Sequence, residues 1–471
     1  MSALATALAA HGSRTPAPVA RRTRIARRDL PWLPWTTVAT VGPLQPVGRD
    51  DVVAAVARVV VAEPALGLDR TPDVGGRHWL TGLTDAASFA ERVVVALPAD
   101  PAADYDDWAS DLAARTDLPW PFAVVVAHDH VAVVASHGLG DGRWVNAVLP
   151  LVVREALGDV PDGRRADAGD VVVRPPAGAV TRAPYLRAVV RYAAADPRRA
   201  VRTLTRSLVS GSGWAGLLCR SGYQRTDTGG RYVAFRPEPR AVYRAMPAAT
   251  FTAVRAWRKE HAPGTSTPAL ELALVLRAFA AAGQPVAPAV HVPYDVRRYL
   301  APDAVVGGNL VVGLDLALDA TTPVDGVCAA LAAAAHAGRP LTALALRLAR
   351  PPRAVRSAQS GVRPVPPGLR AGVPLPADAP AELAFTHIGR PRAVEQLPWA
   401  GGRDRAYMGS VAPGSPAGVT VAAVETGGRL GLSASFHGSV VPVERVTAAL
   451  DLLCTDPLSL LQPDLSTRRS S

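Results

Sequence analysis

The segment VAVVASHGLGDGRWVNAVLPLVV, residues 131–153, contains the pattern on which the interpretation of the whole chain depends. A β-branched run ends in Ser136-His137, a glycine-rich turn with Asp141 follows, and an apolar segment then resumes. The run before the turn is typical of a buried strand, and the segment after it predicts a helix with Pro150 as a potential bend. The sequence therefore predicts a strand, a turn and a helix in immediate succession, with a histidine at the end of the strand.

His137 has two interpretations from the residues alone. A neutral imidazole accepts a proton at about pH 6.5, so a histidine facing a cleft is able to deprotonate an attacking hydroxyl or amine. The alternative is a partly buried structural histidine beside a hairpin. Because Gly138-Leu139-Gly140 is too rich in glycine for a helical turn, Asp141 is expected to stabilise the turn by pairing with a distant arginine. Gly142 is expected to allow a tight backbone path.

Composition limits the class of protein. The chain has 471 residues, 49% of them hydrophobic, and a mean hydropathy of +0.13, which excludes a mainly disordered protein. This length predicts two lobes. The 51 basic and 40 acidic residues give a net charge of +11, and Lys259 is the only lysine. Such a charge is able to attract an acidic carrier protein or a phosphate-bearing cofactor. With 5% aromatic residues and no zinc spacing, nucleic-acid binding is not expected.

The cysteines and the chain ends predict a cytoplasmic protein without a transmembrane segment. Cys219, Cys328 and Cys454 are odd in number and far apart, which argues against a disulfide framework and indicates a reducing compartment. No apolar run has the length of a membrane span. Residues 1–29, with RRTRIARR at 21–28, predict a disordered basic tail rather than a secretory signal, and residues 464–471 predict a second tail.

Strands and helices are predicted on both sides of the motif. The strands are WTTVATVGPL from Trp35, the hairpin FAVVVAHDHVAVVAS, the pair PAVHVPYDV and NLVVGLDLAL, and the final hairpin GVTVAAVETGG with RLGLSASFHG. The helices are the valine-rich segment after Asp50, TPALELALVLRAFAAAG closed by Gly283, and ERVTAALDLL. The Pro- and Arg-rich stretch at about 350–380 predicts a long surface loop. We expect an N-terminal lobe over 30–175 and a C-terminal lobe over 176–463.

The order strand, His-x-x-x-Asp-Gly, helix resembles the active-site motif of the superfamily of condensation domains and CoA-dependent acyltransferases. That superfamily includes peptide-synthetase condensation domains, wax-ester synthases and polyketide-associated acyltransferases. The resemblance implies that His137 is the catalytic base and that Asp141 forms a structural ion pair. Many members have a second histidine just before the catalytic one, where this chain has Ser136.

A second segment resembles the superfamily's Pro-x-Asp-Leu-Arg … Gly-Asn pattern. It reads VPYDVRRYLAPDAVVGGNLVVGLDL. The resemblance implies that Arg297 is the partner of Asp141 and that Gly308 and Asn309 lie near the cleft. Bidentate pairing requires an arginine, but the sequence does not choose between Arg297 and its neighbour Arg298.

A third segment, LAFTHIGRP at 383–391, resembles the superfamily's Ser-Asn-x-Gly pattern. Thr386 takes the place of the hydroxyl residue and His387 that of the asparagine. A hydroxyl in a dry cleft is able to donate to an oxyanion; the alternative is a strand threonine bonded to a neighbouring carbonyl. The candidate oxyanion or substrate-positioning residues are therefore Ser136, Gly308, Asn309 and Thr386.

The resemblance covers about residues 30–455 and implies a fold and an activity. The fold class is an α/β sandwich of two lobes resembling chloramphenicol acetyltransferase, arranged in a V around a central tunnel. The activity is transfer of an acyl group from a CoA or phosphopantetheine thioester to an alcohol or amine, in lipid or natural-product biosynthesis. The thioester is then a substrate, and neither a metal nor a permanently bound cofactor is expected. The alternatives are a free-standing condensation enzyme and a non-catalytic binding member of the fold.

Overall fold

The computed structural model describes residues 21–82, 84–158, 183–209, 231–300, 308–349 and 365–462. Its first large sheet has the spatial order Ala406–Val411 (β14), Thr36–Gly42 (β2), His130–Ser136 (β7), Phe122–Ala127 (β6) and Val94–Ala96 (β5). Every residue of β2, β6 and β7 is buried. Both faces of this sheet are covered, which explains the near-continuous Val and Ala runs of these strands.

Helices cover the two faces of the first sheet. They are Arg49–Ala62 (α1), Ala86–Val93 (α2), Tyr105–Ala114 (α3) and Gly142–Ala156 (α4). Val124, Val131 and Val133 pack in the core that contains residues of α1, α2 and α4. Val125 and Val134 point to the opposite face, where they pack with Trp108 of α3. The period of two along each strand thus serves two separate cores.

The second large sheet is mixed. Its spatial order is Val311–Leu316 (β11), Val290–Asp295 (β10), Glu382–Gly389 (β13), Gly418–Thr426 (β15), Arg429–His437 (β16) and Pro239–Met246 (β9). The β10–β13 and β13–β15 pairs are parallel, and the other pairs are antiparallel. The strands predicted from the sequence in this half of the chain are confirmed, and the final hairpin forms β15 and β16.

Helices on the second sheet enclose the largest core. They are Ala248–His261 (α7), Thr267–Ala281 (α8), Val324–His336 (α9), Arg339–Ala349 (α10) and Val443–Thr455 (α12). Helix α8 is the most deeply buried of them by its residue pattern, with Leu270, Leu274 and Phe279 at most 2% exposed. Ser266 caps its start by accepting from Ala269 N, and Gly283, with φ +68°, ends it as predicted. The mixed α/β fold class is confirmed.

The remaining described elements lie at the edges of this framework. They are the strands Arg21–Arg24 (β1), Thr71–Pro72 (β3), His78–Thr81 (β4), Tyr232–Ala234 (β8) and Pro374–Pro376 (β12), and the helices Ala183–Ala195 (α5), Pro197–Val209 (α6) and Arg392–Glu395 (α11). No single helix in the described ranges has both the length and the apolar composition to cross a membrane, although the bent pair α9 and α10 passes that test jointly.

The division into lobes at one point of the sequence needs a correction. Strand β14 belongs by position to the predicted C-terminal lobe, 176–463, yet it pairs with β2 in the first sheet. In addition, Ser110 of α3 exchanges hydrogen bonds with the backbone of Ala241, and Arg244 of β9 lies 2.7 Å from Asp106. The lobes are therefore joined by a shared strand and by direct polar contacts.

The prediction of a disordered tail over residues 1–29 is wrong for residues 21–29. Strand β1 pairs with β4, and Ile25, Arg28 and Asp29 are each at most 7% exposed. The carboxylate of Asp29 accepts hydrogen bonds from Asn309, 280 positions away, so no local sequence pattern reveals its burial. Residues 1–20 lie outside the described residues.

The prediction of a surface loop at about 350–380 does not hold for the part of that stretch that the structure describes. Residues 350–364 lie outside the described residues, as do the boundary at 175/176 and the tail 464–471. From residue 365 onward the chain packs: Leu369 and Leu375 are buried, and β12 pairs with β8. Because prolines alternate in this stretch, the sequence did not predict the short strand β12, whose apolar residue packs in the core.

Candidate active site

The turn between β7 and α4 is held by backbone and hydroxyl contacts. His137 N donates to the carbonyl of Trp35 at 2.7 Å. Ser136 Oγ donates to the carbonyl of Leu33 at 2.7 Å and accepts from Gly138 N at 3.1 Å. Ser136 is 1% exposed, so its hydroxyl is used within the turn. The structure therefore gives Ser136 a supporting position, and its hydroxyl does not face a substrate space.

The glycines of the motif differ in what they allow. A Cβ at Gly138 would lie 2.6 Å from Leu33 Cδ2, and a Cβ at Gly140 would lie 2.3 Å from Trp144 Cβ. At Gly142 a Cβ would meet nothing within 4 Å, and its φ is not in the left-handed region. The expectation that Gly142 permits the tight path is wrong: the close approaches occur at Gly138 and Gly140.

Asp141 connects the motif to the second lobe. Its Oδ1 caps α4 by accepting from Arg143 N at 3.2 Å, and its Oδ2 accepts from Arg297 Nη1 at 2.8 Å and from Leu310 N at 3.2 Å. Arg297 Nη2 donates in turn to the carbonyl of Gly308 at 2.9 Å. Asp141 is 2% exposed, so this is a desolvated, charge-assisted contact.

Arg297, and not Arg298, makes this ion pair. The guanidinium of Arg298 lies 5.7 Å from the centre of the Tyr299 ring. Both arginines belong to a short 3-10 helix, Val296–Tyr299, whose N-cap residue is Asp295. Asp295 accepts from Arg143 at 2.9 Å, which adds a second ion pair between the same two segments.

Asn309 is fully buried and bonds directly to the motif. Its Nδ2 donates to the carbonyl of His137 at 2.8 Å and to Asp29 Oδ1 at 3.0 Å, while its backbone N donates to the same Asp29 oxygen at 2.8 Å. Gly308, with φ +84°, precedes it, and a Cβ there would lie 3.0 Å from Arg28. Asn309 therefore positions the histidine backbone, and Gly308 provides the turn and the close approach that this requires.

The imidazole of His137 lies against Trp32. The two ring centres are 4.3 Å apart with an interplanar angle of 15°, and both residues are 7% exposed. Within the described residues Nδ1 of His137 has no hydrogen-bond partner; Nε2 has none either, and it is not among the atoms sealed from solvent. Burial lowers the pKa of His137 below its usual value of about 6.5, although the charge of Asp141 opposes part of this effect. The lowered pKa favours the neutral form of the ring, in which one nitrogen has a lone pair available.

Trp32, Asp29, Arg28 and Arg347 are site residues that sequence reasoning missed. The first three lie in the segment before β2, and this segment contains the 3-10 helix Leu30–Trp32. Arg347 of α10 donates to the carbonyl of Arg28, and its guanidinium carbon lies 5.3 Å from the centre of the Trp32 ring. Burial lowers the pKa of Arg347 to about 10, so it remains a cation at neutral pH. The only sequence signal was the apolar and charged DLPW segment itself.

Thr386 is not brought into contact with His137. It is half-buried on β13, and within the described residues its hydroxyl makes no hydrogen bond. Leu383 and Phe385 of the same strand pack in the second core, so alternation directs Thr386 to the opposite face. Thr386 pairs with Ala422 of β15, and the next residue across on that face, Ser433 of β16, donates to the carbonyl of Gly409 of β14 in the first sheet. Thr386 therefore points toward the side on which the first lobe lies.

His387, the residue in place of the expected asparagine, lies on the other face of β13. Its Nδ1 is 2.7 Å from Oε2 of Glu271, which is 3% exposed on α8. Burial alone would lower the pKa of His387, but the hydrogen bond and charge of Glu271 raise it overall. Burial raises the pKa of Glu271. His387 is thus hydrogen-bonded to a buried carboxyl group on α8, separate from His137.

Comparisons with known proteins identify the fold. A scan against protein-family models and a search of curated proteins found no match. Among solved structures, trichothecene 15-O-acetyltransferase from Fusarium sporotrichioides matches at TM-score 0.54 and 12% identity, over 95% of this chain and 96% of that one. The first condensation domain of the CDA synthetase matches at TM-score 0.53 and 14% identity, over 94% and 97%.

A third solved structure agrees with these two. Polyketide synthase associated protein 5 from Mycobacterium tuberculosis matches at TM-score 0.51 and 14% identity, over 93% of this chain and 98% of that one. The chain therefore has the two-lobed α/β fold of these three solved structures.

Proposed function

We propose that the protein is an acyltransferase in which His137 is the general base. It transfers an acyl group from a CoA or carrier-protein thioester to a hydroxyl or amine. The observation that carries the proposal is the setting of His137: a buried imidazole at the turn where the two lobes meet, whose Nε2 has no hydrogen-bond partner in the described part of the chain and whose pKa is lowered by burial. This is the state that a base needs before it takes a proton from an acceptor.

The surrounding contacts support a base of fixed position. Asp141 is engaged by Arg297 and by the start of α4, so it holds the turn and is not itself the group that orients the ring. Asn309 fixes the carbonyl of His137 from the second lobe. Proton transfer by a positioned side chain contributes about 10²- to 10⁴-fold to rate.

In the proposed reaction, Nε2 of His137 takes the proton of the acceptor as its oxygen or nitrogen attacks the thioester carbonyl. The tetrahedral intermediate collapses with loss of the thiolate, which takes the proton back from the imidazolium. Atoms and charge balance without an acyl-enzyme. Thr386 is the candidate donor to the oxyanion; its support is a hydroxyl without a hydrogen bond to any described residue, on the strand face directed to the first lobe.

The test is product detection by intact mass. Purified protein is incubated with a panel of acyl-CoAs and acyl carrier proteins, each with mixed alcohols and amines. We expect a new ester or amide with at least one donor class and a loss of about 10²-fold or more in rate for His137→Ala. The panel also separates CoA donors from carrier-protein donors.

The matched control is His128→Ala. His128 lies at the exposed tip of the β6–β7 hairpin, at the opposite end of β7 from His137. We expect the His128→Ala protein to retain wild-type turnover. Product formation by a correctly folded His137→Ala protein at a rate within twofold of wild type would reject the proposed function.

A further inference from the structure

Two side chains from outside the motif are stacked one behind the other against the imidazole of His137. Trp32 is stacked on the ring at 4.3 Å between centres, and the guanidinium carbon of Arg347 is 5.3 Å from the centre of the same indole. Arg347 is 9% exposed and Trp32 is 7% exposed. The three groups thus form a contiguous, largely desolvated unit made from three distant parts of the chain.

A stacked indole has two effects on a histidine. The flat contact excludes rotamers in which the imidazole turns away, because the ring would have to displace the indole. The indole face is also electron-rich and attracts cations, so alone it would favour the protonated imidazolium. A base has to be fixed in position but unprotonated, so the second effect works against catalysis.

Arg347 opposes that second effect. It is a cation at neutral pH and it already occupies the electron-rich ring of Trp32. A second positive charge on His137 would be repelled by Arg347 in surroundings where water screens little. The same repulsion is among the causes that lower the pKa of His137.

The other charged groups near His137 largely neutralise one another. Asp141 favours the imidazolium, but Arg297 pairs with it at 2.8 Å. Asp29 accepts from both nitrogens of Asn309 and lies 3.8 Å from Arg28, and its charge also acts on Arg347, where it offsets part of the effect of burial on the pKa of that guanidinium. Against this background Arg347 is the cation that contacts the ring stacked on His137.

We infer that Trp32 and Arg347 are positioning residues for His137: the indole fixes the imidazole and the guanidinium keeps it unprotonated. This inference rests on the proposed role of His137 as the base. It assigns a catalytic purpose to the N-terminal segment before β2 and to helix α10, neither of which contains the motif.

The role of Trp32 is tested by steady-state kinetics of two variants. In Trp32→Leu we expect kcat to fall about 10- to 100-fold with KM within twofold, because the ring loses its stacking partner. Trp32→Phe keeps a flat ring and restores most of kcat. Equal losses in Trp32→Leu and Trp32→Phe, or an unchanged kcat in Trp32→Leu, would overturn this part of the inference.

The role of Arg347 is tested without any substrate. The rate of hydrogen–deuterium exchange at the imidazole Cε1 of His137, followed by mass spectrometry of its peptide across pH, gives the midpoint of its protonation. We expect the midpoint to move to higher pH in Arg347→Met and to stay at the wild-type value in Arg347→Lys. The matched control is Arg339→Met, since Arg339 lies on the same helix and donates to the carbonyl of Asp315, away from His137.

A midpoint in Arg347→Met equal to or below that of wild type would overturn the inference. Circular dichroism and the exchange midpoint of the buried His130, whose pKa is lowered by burial in the folded protein, establish whether each variant is folded. Because the exchange measurement uses no turnover, it decides the role of Arg347 even where His137→Ala fails to abolish product formation. An active His137→Ala protein would reject the proposed function, whereas an unmoved midpoint would reject the role of Arg347.

Discussion

The side-chain amide of Asn309 donates a 2.8 Å hydrogen bond to the backbone carbonyl of His137, across 172 positions of sequence. The same amide also donates to Asp29, so one buried side chain joins the N-terminal segment, the motif turn and the second lobe. Because it bonds to the carbonyl, Asn309 fixes the backbone position from which the imidazole of His137 projects.

Asn309→Ala should reduce both activity and stability. The substitution leaves the carbonyl of His137 and one contact of Asp29 unsatisfied, which costs about 1–3 kcal/mol per buried group. The shift of the turn should lower kcat by about 10²-fold. Turnover and urea unfolding of the same preparation measure the two effects. The control is Asn146→Ala on α4, which removes the hydrogen-bond partner of the Tyr407 hydroxyl and should lower stability but keep kcat. A loss of kcat in Asn146→Ala as large as in Asn309→Ala would contradict a specific role for Asn309.

The ion pair of Asp141 and Arg297 should be strongly coupled. Asp141 is almost fully buried, so removal of either partner leaves a desolvated charge, at a cost of about 3–5 kcal/mol. A double-mutant cycle with Asp141→Asn and Arg297→Gln, read by urea unfolding, measures the coupling. The exposed pair Arg115–Asp117 provides the comparison, and its removal should not move the unfolding midpoint. Additive effects of Asp141→Asn and Arg297→Gln would show that the pair does not join the lobes.

The two glycines that flank Asp141 should respond differently to the same substitution. Gly140→Ala places a Cβ 2.3 Å from Trp144 Cβ and should cost about 1–3 kcal/mol as the helix start is displaced. Gly142→Ala meets open space at the first position of α4 and should be neutral or stabilising by up to about 1 kcal/mol. Thermal unfolding of both variants measures the contrast. Equal destabilisation would mean that the requirement for glycine at 142 comes from something other than packing.

His437 should make the folded protein sensitive to acid. Burial lowers its pKa to about 4, and its Nδ1 accepts from Glu238 N at 3.2 Å. As pH falls below about 6.5 the unfolded chain binds a proton that the folded chain does not, so stability decreases by up to about 3 kcal/mol by pH 4. His437→Asn retains an acceptor without titrating, and its unfolding midpoint should vary less between pH 6.5 and 4. His128→Asn, at an exposed position, should leave the pH dependence of wild type unchanged.

The sequence predicted the strand, turn and helix around His137 because that arrangement is local: the Val and Ala run, the glycines and the helical period lie within 23 residues. It also predicted that a distant arginine would meet Asp141. It did not choose between Arg297 and Arg298, because the argument from strand alternation fails where the backbone is a 3-10 helix. Which of the two arginines faces Asp141 depends on the backbone conformation, and the identity of the two residues does not determine that conformation.

The rest of the site could not be predicted, since it depends on contacts between distant segments. Trp32 reaches His137 across more than 100 positions, and Asp29 reaches Asn309 across 280. An aromatic residue and a carboxylate in a short segment rich in arginine carry no periodic signal of burial. Thr386 is a different case: a local likeness suggested it as a site residue, and the fold places it on the strand face directed to the first lobe without a contact to His137.

The exchange of β14 between the lobes has a consequence during protein synthesis. Strand β2 is buried along its whole length, yet one of its edges remains open until residues 406–411 have been translated. A nascent chain that already contains the motif thus carries an unpaired strand edge, the kind of surface on which strands of other chains add. The first sheet cannot be completed on the ribosome until β14 has emerged, so the growing chain is open to association with its neighbours over that interval.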